Sequence, residues 1–242
     1  MVGNASDSSS RIKAQSADAL REGVPSWAHG SFRDQDIALV DQAIASAEKK
    51  TSAEIVVVIA NQSTSRQHLP VFGALVGAVT VLVLEPMLLA SPFTQNFLGL
   101  LPWWGVTVIG AAVGAGLSLV AGVARFLIPN SVEIRDVHRS SVLAFQNFGL
   151  RRTKDSSGVL IFVSLFEHRV EILGDEAVAS KVDQEFWTRH CEAVANAARQ
   201  GRLAKGIADA VQSMTGRLSE IIPPSSQNSD ELCNRVRFWK QF

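Results

Sequence analysis

From Val71 to Ala124 the chain carries no lysine or arginine and a single acidic residue, Glu85. A bilayer core takes roughly 20 mostly apolar residues per helix, and this stretch supplies two such runs, residues 71–90 and 103–128. The expectation is a two-helix transmembrane hairpin joined through residues 91–102 (SPFTQNFLGLLP), whose two prolines and small polar cluster suit a turn. Trp103 and Trp104 stand where an interfacial aromatic pair sits. The competing reading, an apolar core hairpin in a large soluble protein, needs more surrounding chain than 242 residues supply. Gly73-x-x-x-Gly77 and Gly110-x-x-x-Gly114 allow close helix approach. They serve the hairpin itself, a homo-oligomer or a membrane-protein partner equally well. Glu85 with Pro86, near the far end of the first run, reads as interfacial rather than as a proton relay.

The flanks orient the hairpin. Arg66 precedes it, and Arg125, Arg135, Arg139, Arg151 and Arg152 follow it, while the connector has no positive charge. The positive-inside rule then predicts an inner (plasma) membrane protein in contact with the lipid bilayer, with both termini and the remaining chain cytoplasmic. The N-terminal stretch is polar and lacks an apolar segment before a cleavage site, so no secretory signal is expected. Lysine plus arginine and aspartate plus glutamate both number 23, which leaves no basic excess for nucleic acid. Cys191 and Cys233 are the only cysteines, and they build neither a CxxC pair nor a zinc site.

The rest reads as one α/β domain split by the hairpin: residues 31–70 and 129–224, with a flexible tail over 1–30 and a polar tail over 225–242. Ile37, Val40, Ile44 and Ala47 mark a helical stripe, with Ser31 and Asp34 as a capping-box-like start. Glu54–Ala60 follows as a β-branched run buried on both faces. Val137, Ser141, Ala144 and Phe148 form another stripe, capped by Gly149. Gly158–Ser164 is a second buried strand, turning through Leu165–His168 into an antiparallel Arg169–Leu173. Two helices close the domain: one bears Phe186, Trp187, His190, Cys191, Val194 and Ala198, the other Ile207, Val211, Met214, Leu218 and Ile221. The fold expected is a layered α/β/α sandwich around a mixed sheet of at least three strands. GxGxxG, GxxxxGK[ST] and HExxH are absent from the sequence.

Three strings in order, Glu48-Lys-Lys-Thr51-Ser-Ala-Glu54-Ile-Val-Val-Val, Arg152-Thr153-Lys-Asp155-Ser-Ser-Gly158-Val-Leu-Ile-Phe-Val-Ser164 and Glu171-Ile-Leu-Gly-Asp175, resemble the TPM domain family. Trp187, the Gly201-Arg-Leu-Ala-Lys-Gly206 turn and Asp230-Glu-Leu232 match its bacterial branch with an inserted transmembrane hairpin. The resemblance implies an α/β sandwich, and either acid phosphatase activity or a role as an assembly or accessory factor for membrane complexes. The chain departs from other branches after the third strand, where their glycine-rich stretch is reduced to Gly174-Asp175-Glu176.

Glu54, Asp155 and Asp175 fall at strand ends or adjoining turns. If those ends converge, their oxygens form a hard-ligand set for Mg²⁺ or Ca²⁺, and Asp155 or Asp175 becomes a nucleophile or acts on metal-bound water. Backbone capping alone accounts equally for Asp at such places. Arg151, Arg152 and Lys154 suit either a phosphate or a surface near anionic headgroups. His138, His168 and His190 lie on different elements and read as surface or cap residues, Ser164 lacks a GxSxG context, and Cys191 reads as core. The function expected is a non-catalytic binding or assembly module for a membrane complex on its cytoplasmic face. The alternative is a metal-dependent phosphatase working near the membrane surface, and the residues alone leave open whether the chain is an enzyme.

Overall fold

The computed structural model describes residues 24–89, 103–120, 122–123, 128–153, 156–224 and 235–240. The chain divides into two compact units, one of residues 1–63 and 135–242, the other of residues 64–134. In chain order the elements are α1 (Asp34–Glu48), β1 (Glu54–Ala60), α2 (Leu69–Leu89), α3 (Trp103–Ser118), α4 (Asn130–Asn147), β2 (Gly158–Ser164), β3 (Arg169–Gly174), α5 (Glu176–Ala179), α6 (Gln184–Arg199), α7 (Leu203–Ile221) and β4 (Arg237–Trp239).

The first unit is built on a four-stranded mixed sheet in the order β3-β2-β1-β4. β1 and β2 run parallel in register from Glu54 opposite Gly158 to Ala60 opposite Ser164, and every residue of both strands is buried. Continuous β-branched runs behave this way because both faces of a central strand meet apolar layers. β3 returns antiparallel to β2, with Val159 opposite Gly174 and Ser164 opposite Arg169. β4 runs parallel to β1 over three positions, from Val58 opposite Arg237 to Ala60 opposite Trp239.

The period-2 alternation of strands sorts the core into two layers. Ile55, Val57, Ile59, Val159 and Ile161 point to one face, where Val40 and Ile44 of α1, Val194 of α6 and Ile207, Val211, Met214 and Leu218 of α7 cover them. Val56, Val58, Leu160 and Phe162 point to the other, against Val137, Ala144, Phe145 and Phe148 of α4. Helices on both faces make the expected α/β/α layering. Gly149 takes the left-handed conformation (φ 77°) after α4, as a C′ glycine does. Gly158 is required by close approach, since a Cβ there would stand 2.8 Å from the Leu150 carbonyl oxygen.

Three local features differ from the sequence expectation. Residues 24–30, assigned to the tail, are packed: Val24 and Ala28 are buried in the core under α1. The α1 start is displaced, because Asp36 accepts the Arg33 N–H at 2.7 Å and Asp34 instead holds the Val24 N–H at 3.2 Å. At the other terminus Arg237–Trp239 forms a strand within the segment read as a polar tail.

In the second unit α2 and α3 pair antiparallel through their glycines. A Cβ on Gly77 would lie 2.1 Å from the Gly110 carbonyl oxygen, and one on Gly114 would lie 2.1 Å from that of Gly73. Both small-residue faces are therefore occupied by each other, within one chain. The two-span reading of this unit is overturned: among the described residues no helix is long and apolar enough to cross a membrane. At a 1.5 Å rise, the 16 residues of α3 reach about 24 Å, short of a hydrocarbon core of about 30 Å. α2 has 21 residues, but Glu85 breaks its uncharged run, and the charge-free part Leu69–Leu84 is again about 24 Å long. The inner-membrane placement and the cytoplasmic orientation derived from it fall with the spans. The connector 91–102 lies outside the described residues.

Candidate functional site

The end of the sheet where β1 and β2 begin and β3 finishes carries a cleft of about 530 Å³, lined by Gln146, Arg151, Ser156, Asp175 and Glu176 over an apolar floor that includes Phe145 and Leu173. Its walls come from α4, the turn before β2, and the β3–α5 junction. Asp175 is set there by its backbone, since its N–H donates to the Gly158 carbonyl at 2.8 Å and its own carbonyl accepts from Val178 and Ala179. It is the N-cap residue of α5, yet its side chain makes no capping hydrogen bond. The carboxylate is half-buried at the cleft wall instead of being consumed by the helix end.

The turn before β2 is pinned at several points. Thr153 Oγ1 donates to the Leu150 carbonyl and accepts the Ser157 N–H, both at 3.2 Å, and Ser157 Oγ donates to the Ser52 carbonyl at 3.0 Å. These bonds hold Ser156 at φ 48°, a left-handed conformation uncommon outside glycine. Its carbonyl accepts the Ala177 N–H at 3.2 Å, so the strained residue ties the turn to α5 across the cleft. Strain held by surrounding bonds next to a cleft marks a place where geometry is maintained at a cost.

Of the sequence candidates, Glu54 sits at the same end of the sheet, 2% exposed, as the first residue of β1 opposite Gly158. β2 separates it from Asp175, and two ladder spacings put their Cα atoms about 10 Å apart. Asp155 and Lys154 lie outside the described residues. Among the described residues no group of three His, Cys, Asp or Glu can hold a metal ion, so Glu54 and Asp175 do not by themselves make a Mg²⁺ or Ca²⁺ site. Arg151 does line the cleft, as Asp175 and Glu176 do. Gln146 and Ser156 were not legible as site residues. The only sequence signal was the small-residue run Ser156-Ser157-Gly158 before a buried strand.

The other candidates serve structure. Ser164 is fully buried, donates to Glu167 and lies 2.8 Å from Ser63 Oγ, while Glu167 also accepts the Ser63 N–H at 2.9 Å. That network ties the far ends of β1 and β2 together. His190 is 6% exposed; its Nδ1–H donates to the Phe186 carbonyl at 2.8 Å, and Nε2 lies 3.2 Å from Ser213 Oγ, bridging α6 to α7. His138 pairs with Glu171 at 2.5 Å. His168 takes φ 52° in the β2–β3 turn. Burial pushes the Cys191 thiol up to about 11, which makes it an inert core group.

Comparison with known proteins agrees with this fold. The sequence model of the TPM domain family matches residues 124–217. The structure is similar to the NMR structure of the BA42 protein from the psychrophilic bacterium Bizionia argentinensis, with a TM-score of 0.52 and 19% identity over 85% of this chain and 93% of that one. At that identity the likeness concerns the fold alone. No curated protein matches the chain. The resemblance to the TPM domain family expected from the sequence is thus borne out by a match over residues 124–217, a segment that contains α4, β2, β3, α5, α6 and most of α7, while the inserted hairpin of its bacterial branch lies mostly outside that segment.

Proposed function

We propose that the chain is a non-catalytic binding or assembly module that docks a partner protein through the α2–α3 unit. The observation that carries this reading is the outer surface of that unit. Val71, Leu75, Val83, Met87, Val108 and Val113 are each more than half exposed, while the glycine faces are turned inward. An apolar surface of this extent on a folded protein marks an interaction site. The segment from Val71 to Ala124 has only Glu85 as a charge, so the complementary surface is apolar and uncharged, as interface cores are.

Mild purification of the full chain should recover a stoichiometric partner, and Leu75→Glu with Val108→Glu should lose it while the sheet remains intact. Repeated recovery of the bare chain would overturn the reading. So would flotation of the chain with protein-free lipid vesicles in the absence of any partner.

A second reading is favoured by Arg151 and Asp175 meeting in one cleft: hydrolysis of a phosphoester dependent on a divalent cation. Arg151 would hold the phosphate through its planar fork, and Glu54, Asp155 and Asp175 would share the cation. Phosphoester assays of the full chain with Mg²⁺, Mn²⁺ and Ca²⁺ test it. Activity that survives both Asp155→Asn and Asp175→Asn removes those residues from the chemistry.

A further inference from the structure

A second cavity, of about 420 Å³, lies within the sheet unit at the end opposite the Asp175 cleft. Val163 and Ser164 bring it to the carboxyl end of β2, and Arg169 opens β3 on one side of it. Ala198 and Arg199 at the end of α6, with Leu203 at the start of α7, close the other side. That volume falls within the range of about 300–1,000 Å³ typical of small-molecule sites. The carboxyl end of parallel strands is also where open α/β sheets hold their ligands.

The chemistry of its wall is one-sided. Acceptors beside it are already used: Ser164 Oγ is bonded to both Glu167 and Ser63, and the buried Glu167 carboxylate also takes the Ser63 N–H at 2.9 Å. At the end of α6 the Ala197 carbonyl accepts from Gln200 and Arg202, and the Ala198 carbonyl accepts from Gly201. Gly201 permits that closing turn with φ 70°. None of the described residues lining the cavity is acidic, and two are arginines. Arg199 donates through Nη1 to Asn196 Oδ1 at 2.7 Å, and a guanidinium has donors beyond that one. Val163 and Leu203, both buried in the core, supply an apolar floor.

We propose that this cavity binds a small amphipathic carboxylate, its head group on Arg169 and Arg199 and its apolar body over Val163, Ala198 and Leu203. A planar guanidinium fork matches both oxygens of a carboxylate. A cationic ligand would meet like charge and find the neighbouring acceptors occupied. The wall is set before any ligand arrives. The Leu165 and Phe166 N–H groups donate to the Ala60 and Asn61 carbonyls at 2.9 and 3.0 Å, and His168 turns the chain at φ 52° directly before Arg169. A pre-formed wall lowers the ordering cost of binding.

The probe is sodium octanoate, added to the isotopically labelled full chain and followed by amide NMR, with 1-octanol as the uncharged control. Octanoate should shift the amides of residues 163–170 and 198–203. The alcohol should bind at least about tenfold more weakly, the effect of one charge-assisted hydrogen bond. Arg199→Gln, a change at an exposed residue, should weaken octanoate about tenfold by the same measure and leave the rest of the spectrum in place. Arg169→Gln should do the same, and if that variant loses its sheet, Arg199→Gln decides alone. Equal binding of the two probes overturns the proposal, as does octanoate binding that Arg199→Gln leaves unchanged or a chain that takes up no octanoate. Shifts confined to Leu69–Leu89 and Trp103–Ser118 would assign the probe to the exposed helical face and overturn it too.

Discussion

The two units are made from the same aliphatic residues and use them in opposite ways. In the sheet unit the β-branched and aromatic side chains of β1 and β2 are completely covered, while glycine appears at turns and close approaches such as Gly149 and Gly158. In the helical unit glycines form the inner seam and the large side chains face outward. A buried strand has two faces to cover and receives a helical layer on each. A pair of helices can cover only one face apiece, and here small residues claim that face because they let the backbones approach. The contrast shows that hydropathy alone does not say where a side chain ends up. The size of the residues at the contact decides it.

That comparison breaks most visibly at Phe162 and Leu75. Phe162 is fully buried, and Phe162→Ala should destabilise the sheet unit by about 3–5 kcal/mol, through lost burial and the cavity left behind. Leu75 is 60% exposed, and Leu75→Ala should shift stability by no more than about 0.5 kcal/mol. Denaturant unfolding of the two variants checks both, and equal losses would mean that the outer face of α2 is covered after all.

The glycine seam gives the next largest effect. Gly114→Val places a branched side chain where even a Cβ meets the Gly73 carbonyl oxygen. Overpacking of this kind costs about 1–3 kcal/mol. The loss should appear as faster amide exchange over Leu69–Leu89 and Trp103–Ser118, with β1 and β2 unchanged. Matching changes in both units would show them to be energetically coupled.

Within the sheet unit, Asp41 sharpens the comparison through pH. Burial raises its carboxyl above 3.8, outweighing the opposing Val236 hydrogen bond and the Arg235 charge. A raised carboxyl binds its proton at higher pH in the folded chain than in the unfolded one. Stability from this group is therefore greatest below about 3.8 and falls as pH rises through the folded value. Asp41→Asn keeps an oxygen for the Val236 N–H and removes the charge, so it should flatten that part of the pH–stability curve. An unchanged slope would assign the titration elsewhere.

The smallest effect concerns Cys191. With its pKa at about 11, roughly one thiol in a thousand is ionised at pH 8. Alkylation should be slow in the folded chain and rise to the ordinary rate on unfolding, as followed by mass spectrometry. Fast labelling under native conditions would place the α6 face in open solvent.

Periodicity was enough to locate the elements that depend on nearby residues. The β-branched runs of β1 and β2, the tight turn into β3 and the stripes of α4, α6 and α7 are all readable because each segment's apolar pattern matches its own repeat. The stretch with Glu85 as its single charge announced helices, and its length suggested more than they reach. Glu85-Pro86 and the end of α3 at Ser118 shorten the usable apolar lengths, and a residue count over the whole run overlooks both.

The cleft was only half legible. Acidic residues at strand ends stood out, but Asp175 acquires its position from the Gly158 carbonyl, and Ser156 acquires its strain from bonds to Ala177 and from the pinned turn around Thr153. Those partners are distant along the chain or act through the backbone, where side-chain identity carries little signal.

By itself the sequence determined the α/β class, the two buried strands, the helical character of residues 71–89 and 103–118 and the TPM resemblance. Each follows from local periodicity or from strings of neighbouring residues. Tertiary structure alone decided that the glycine faces meet inside one chain, that Val24 and Ala28 belong to the core, and that Arg237–Trp239 closes the sheet edge. These depend on contacts across more than two hundred residues, from Trp27 to Phe238, and no short-range pattern records which surface a distant segment will cover.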